Sequence, residues 1–164
     1  MKRFELSSLD ESKIKVASIV KFALRYLVTI KPSEGKKSLY EFWDGDKEAF
    51  LQHDETALKA YIEFCAKKLD MFFSAIKNTY SDQWGAPDSK LLSVTAMNGF
   101  IIAYNRQLAK NGVQDFAFYR ECFEKMDMDF SKDNFPYTSS QYRKFSNEVL
   151  QRAFGFTEEE LGEY

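Results

Sequence analysis

From Asp54 to Tyr80 the chain places Leu58, Tyr61, Ile62, Cys65, Leu69, Phe72, Phe73, Ile76 and Tyr80 at spacings of three and four residues. Those intervals put every one of these side chains on a single stripe of one long helix. A helix with so wide an apolar stripe holds only when neighbouring elements cover it. Asp54 suits the role of N-cap by accepting the free amides of the first turn, and Lys59, Glu63, Lys67 and Lys68 keep the outer face wet.

The remainder of the chain supplies candidate partners of the same kind. Lys2 to Leu6 alternates polar and apolar residues as a short extended lead-in. Ser8 and Glu11 have capping-box spacing and open an expected helix through about Thr29 that buries Ile14, Ala17, Ile19, Val20, Ala23, Leu24 and Leu27. Ile30-Lys31-Pro32 ends it, because a residue before proline is pushed out of helical geometry. Ser38 to Trp43 reads as one helical turn, Asp44-Gly45-Asp46 as a turn in which Gly45 is free to take a positive φ, and Lys47 to Leu51 as a short helix. A break over Ser81 to Pro87 contains Trp84, which is expected to anchor the packing where the long helix turns back.

Asp88 or Ser89 is the expected cap of a helix to about Lys110 through Leu91, Leu92, Val94, Thr95, Met97, Phe100, Ile101, Tyr104 and Leu108, with Gly99 at a close helix crossing. Asn111-Gly112 stops it. Asp115 to Met126 presents Phe116, Tyr119, Phe123 and Met126 on one face, and Met128 to Thr138 is irregular. Ser139 or Ser140 then caps a helix to Phe154 closed by Gly155, and Thr157 with Glu160 forms a second capping box before Leu161. The expected fold is all-α: one domain over residues 1–164, a bundle of about five to seven helices with a core rich in rings, as 16 Phe and 9 Tyr require.

Candidate chemistry is sparse. His53 is the single histidine, so metal sites built on two imidazoles are excluded, and His53-Asp54 reads as a helix start. Cys65 and Cys122 fall on apolar faces, where thiols are inert and a disulfide framework is not expected. With 7 Gly there is no Walker loop and no dinucleotide fingerprint. Asp127 to Asp133 alternates oxygen side chains like a calcium loop, but Lys132 stands where the sharp turn needs Gly, and Thr138 where a bidentate Glu should close the sphere. Glu121 with Glu124, and Glu158 with Glu159, have the spacing of exposed helix charges. No catalytic residue, cofactor or metal is expected.

A formal net charge of -2, from 23 basic and 25 acidic residues, gives no global attraction to nucleic acid or to an anionic membrane. Local attraction is the alternative. Arg106 and Lys110 lie on consecutive turns of one expected helix, Arg143, Lys144 and Arg152 on another, and Lys31, Lys36 and Lys37 cluster in a loop. Together they make a candidate phosphate-contacting surface. No apolar run reaches the length of a membrane span and Met1 to Leu6 lacks a secretory core, so the expectation is a soluble cytoplasmic protein with no membrane partner.

Phe72-Phe73-Ser74-Ala75-Ile76-Lys77-Asn78-Thr79-Tyr80-Ser81-Asp82-Gln83-Trp84, followed by Lys90-Leu91-Leu92 and by Asn98-Gly99-Phe100-Ile101-Ile102-Ala103, resembles the helical region C-terminal to the ParB/sulfiredoxin-like core of DGQHR-domain proteins. The resemblance covers about Ala57 to Leu108; of the signature itself, Asp44-Gly45-Asp46-Lys47 shares two letters. It implies the C-terminal part of a longer bacterial or phage protein that acts beside DNA, and it carries over no functional residue. The expected function is therefore a non-catalytic helical interaction or accessory module whose partner is another protein or the remainder of a longer chain. The alternatives are a weak nucleic-acid-binding domain using Arg106, Lys110, Arg143, Lys144 and Arg152, and an enzyme with an unrecognised carboxylate site.

Overall fold

The computed structural model of the chain describes residues 25–162 in full and the backbone of residues 3–5 and 13–15. Seven complete helices lie among the described residues: α1 Leu39–Phe42, α2 Lys47–Leu51, α3 Glu55–Thr79, α4 Val94–Asn111, α5 Phe116–Met126, α6 Tyr142–Phe154 and α7 Glu158–Gly162. The architecture is helical, as the periodicity requires.

The expected helix from Ser8 to Thr29 is corrected at its start. Strand β1 Arg3–Glu5 pairs antiparallel with β2 Lys13–Lys15, setting Phe4 opposite Ile14. Lys13-Ile14-Lys15 has the polar-apolar alternation of a strand. Ala17, Ile19, Val20, Ala23 and Leu24, assigned to the same helix, lie outside the described residues, whereas residues 25–26 are helical and Leu27 is buried.

Helix starts follow side chains that can accept a hydrogen bond. Asp46, Asp54, Ser93 and Asp115 each accept from the third amide of the helix they precede. Ser93 replaces Asp88 or Ser89 as the start of α4, because Ser89 forms a bridge with Ser131 and Lys90 donates its amide to the Phe130 carbonyl. α6 begins after Gln141 rather than Ser139 or Ser140. Gly112 and Gly155 terminate α4 and α6 at φ of 70° and 65°, conformations that glycine takes without strain. The box before α7 closes in both directions: Thr157 N donates to Glu160 Oε2 at 2.7 Å and Glu160 N to Thr157 Oγ1 at 3.2 Å.

α4 is the central rod. Of its residues Thr95 to Leu108, every one but Ile102 is buried. α6 packs along it, α5 lies on α3, and α5 meets α6. Rings fill the space between. Phe72 of α3 stacks on Tyr104 of α4 with centroids 4.3 Å apart, and meets Tyr119 and Phe123 of α5 edge-on at 5.2 and 5.4 Å. Phe100, Phe130 and Phe145 carry the cluster toward the irregular 127–141 segment. A second nest of Tyr40, Trp43, Phe50 and Tyr61 joins α1 and α2 to α3. Edge-to-face arrangements of this kind add stability beyond the area they bury.

The two glycines with tight surroundings differ in reason. At Gly99 a Cβ would run into the Phe145 ring and stand 3.1 Å from the Tyr142 carbonyl oxygen, so the crossing of α4 and α6 depends on its absence. Gly45, free to take a positive φ, does not use that freedom. It is needed because a Cβ there would collide with the Trp43 indole.

Trp84 is half-buried against the core rather than enclosed by it, with the Lys77 ammonium 6.0 Å from its ring. Trp84→Ala is accordingly expected to cost about 1–3 kcal/mol in urea unfolding, below the ~3–5 kcal/mol of a fully enclosed ring. An unchanged midpoint would remove Trp84 from the packing altogether.

Candidate interaction surfaces

Two of the acids in the segments considered for chemistry, Asp54 and Asp129, are engaged in local structure. Asp54 caps α3, and His53, directly before it, takes a left-handed φ of 62°, a conformation histidine tolerates better than most residues. In the calcium-like segment Asp129 accepts from Ser131 N at 2.8 Å and from Asn134 Nδ2 at 2.6 Å; the Ser131 amide foremost holds its carboxyl below the usual carboxylate range. No group of three or more His, Cys, Asp or Glu among the described residues is placed to hold a metal ion. Among the described residues no helix is long and apolar enough to cross a membrane.

Three tyrosine hydroxyls behave likewise. Tyr61 donates to the Val28 carbonyl at 2.7 Å, Tyr80 to the Phe123 carbonyl at 2.8 Å and Tyr119 to Gln107 Oε1 at 2.8 Å, tying distant segments to the core. Burial pushes Tyr80 up to about 12 and raises Tyr61, Tyr104 and Tyr119 as well, so all four stay protonated at neutral pH. Cys65 and Cys122 are buried free thiols, and desolvation raises both. A soluble disulfide reagent is expected to modify them far more slowly than a free thiol, with full reaction only after unfolding. Rapid labelling of the native chain would place a thiol in a reactive site instead.

The long helix departs from its sequence reading in an informative way. α3 buries Ala57, Tyr61, Cys65, Phe72, Phe73, Ala75 and Ile76, yet Leu58 is 43% and Ile62 58% exposed. The spacing of three and four predicts both on the covered stripe. The neighbours of α3 reach only one side of its first half, leaving Leu58, Ile62 and Ala66, one turn apart from each other, as an apolar row in solvent. Along one flank of that row run Glu55, Lys59, Glu63 and Lys67, all exposed. They alternate in sign every four residues, and none forms an ion pair with a described residue. Leu51 at the end of α2 is also exposed, at 58%, and Phe116, expected on the inner face of α5, is 37% exposed at its first position.

The five basic residues assigned to phosphate contact divide into separate environments. Arg106 of α4 is buried, donating to Asn147 Oδ1 at 3.1 Å and to the Glu160 carbonyl at 3.0 Å. Lys110 pairs with Glu160 at 2.9 Å, which with the Thr157 amide holds that carboxyl below its ordinary range. Arg152 pairs with Glu148 at 2.9 Å and donates to the Asp127 carbonyl at 2.8 Å. Arg143 and Lys144 are exposed on the first turn of α6. Arg106 and Arg143 line one cleft, and Lys36 joins them there with Arg25, which falls within the helix expected through about Thr29. Only the third dimension brings these positions together, so no spacing in the chain reveals it. No family model, curated protein or solved structure matches the chain.

Proposed function

We propose that the chain is a non-catalytic helical interaction module that works by protein contact through the outer face of α3, and that the partner presented to that face is a second copy of the same chain. The observation that carries this is the charge row beside Leu58 and Ile62. When two copies of α3 pack antiparallel about a two-fold axis, the same flank of each faces the other, so Lys59 meets Glu63 and Glu55 meets Lys67 across the axis. Every acid then faces a base while the apolar row is covered. The charges favour the register, and the burial of Leu58 and Ile62 supplies the association energy. One helix face is a small interface, so the contact is reversible rather than obligate.

This reading fits the accessory role beside DNA that the DGQHR resemblance implies, in which the chain joins an assembly and performs no reaction. The engagement of Asp54, Asp129 and Glu160 in caps and turns, and of the Tyr61 and Tyr80 hydroxyls by carbonyls, supports the non-catalytic part. Sedimentation equilibrium tests the contact. The native chain is expected to show a monomer–dimer equilibrium, and Ile62→Lys to sediment as a monomer with a urea midpoint unchanged within about 0.5 kcal/mol, because the side chain leaves the core untouched. A native chain that stays monomeric at high concentration contradicts the proposal.

A further inference from the structure

A cleft of about 300 Å³ opens between α4, α6 and the segment that runs from Arg25 to Lys36, and cations reach it from each wall. α4 supplies Arg106, α6 supplies Arg143, and the N-terminal segment supplies Arg25 and Lys36. The described residues that line it include no aspartate or glutamate. Its volume lies at the lower end of those that take small ligands.

The cations are placed rather than scattered. Arg25 and Lys36 flank the Tyr26 ring at 5.3 and 5.8 Å, within reach of its face. The Arg106 guanidinium is fixed by Asn147 Oδ1 and by the Glu160 and Leu161 carbonyls. Because the oxygen of the Asn147 amide is taken by Arg106, its NH2 is left for another acceptor. Arg25, Lys36 and Arg143 form no ion pair with a described residue. An anion entering beside Arg25, Lys36 and Arg143, none paired with a described carboxylate, accepts charge-assisted hydrogen bonds from these side chains.

We propose that this cleft binds a phosphate group. The Arg25 and Arg143 guanidinium forks and the Lys36 ammonium, which reach the cleft from the N-terminal segment and from α6, match a tetrahedral group with oxygens pointing several ways and up to two negative charges. A carboxylate offers two coplanar oxygens and one charge, and leaves most of these donors unused. The site is separate from the α3 face, and neither proposal depends on the other.

A free phosphomonoester and a nucleic-acid backbone present the same group, so the test uses both. The native chain is titrated with inorganic phosphate, a nucleoside monophosphate and a short single-stranded oligonucleotide, each against acetate at matched ionic strength, with amide chemical shifts as the readout. A saturable response exceeding that to acetate is expected from at least one phosphate-bearing probe. It should weaken about tenfold or more in Arg143→Glu and in Lys36→Glu, and by less than about twofold in Lys144→Glu, which alters the same charge outside the cleft. Arg143→Gln replaces the reversed charge should that variant lose its native circular dichroism. A response to the monophosphate assigns a small-molecule ligand; a response to the oligonucleotide alone, with the same dependence on Arg143 and Lys36, assigns the nucleic-acid backbone. The proposal is overturned by no saturable response to any probe, by an equal response to acetate, or by an equal loss in Lys144→Glu.

Discussion

Gly99→Leu is expected to abolish the cooperative unfolding transition, leaving a chain with reduced helical circular dichroism and no defined urea midpoint. At this position α4 approaches α6 so closely that even a Cβ would overlap the Phe145 ring and press on the Tyr142 carbonyl. Phe145 is fully buried and meets Phe100 and Phe135 at 5.1 and 5.2 Å, so it has nowhere to retreat. Gly99→Ala sets the scale. Overpacking costs about 1–3 kcal/mol or more, whereas exchanging glycine for alanine inside a helix returns only ~1 kcal/mol. The net loss remains destabilising, and leucine adds a branched side chain where a methyl already fails to fit. A Gly99→Leu variant with the native midpoint would mean that the two helices stand further apart than described.

Phe72→Ala is expected to lower stability by about 3–5 kcal/mol, the cost of deleting a ring from a site that cannot collapse. Phe72 is 0% exposed and touches three rings from two neighbouring helices: Tyr104 of α4 stacked beneath it, with Tyr119 and Phe123 of α5 edge-on. Leu58→Ala, on the exposed side of the same helix, should cost no more than about 0.5 kcal/mol. Equal costs for the two substitutions would show that the halves of α3 are buried alike, against the exposure of 0% at Phe72 and 43% at Leu58.

Much of the fold is legible in the chain because its punctuation is local. Asp54 as a cap, Gly112 and Gly155 as stops and the Thr157–Glu160 box depend on residues within one helical turn, and each appears where the sequence predicts it. Errors arise where a tertiary contact outweighs a local signal. Ser89 has the chemistry of a cap but is drawn into a bridge with Ser131, so α4 waits for Ser93. Gly45 sits in a turn-rich triplet, yet the Trp43 indole beside it is the reason for its missing side chain.

The candidate surfaces were harder to foresee for the same reason. Periodicity places Leu58 and Ile62 on the stripe with Tyr61 and Phe72, but it does not tell how far along α3 the neighbours extend. The cleft joins Arg25, Lys36, Arg106 and Arg143, four positions scattered over most of the chain. Their convergence follows from α4 lying against α6 and from the Asn105 side chain, which donates to the Tyr26 and Lys37 carbonyls at 3.1 Å and fastens the N-terminal segment to α4.

Charge reversal across the two-fold axis tests the central claim most directly. In sedimentation equilibrium Lys59→Glu alone and Glu63→Lys alone should each weaken the dimer, because each sets like charges against one another across the interface. The double variant Lys59→Glu/Glu63→Lys restores opposite charges in the same register and should recover association close to that of the native chain. Two weakened single variants and a double variant weaker than either would contradict the antiparallel contact.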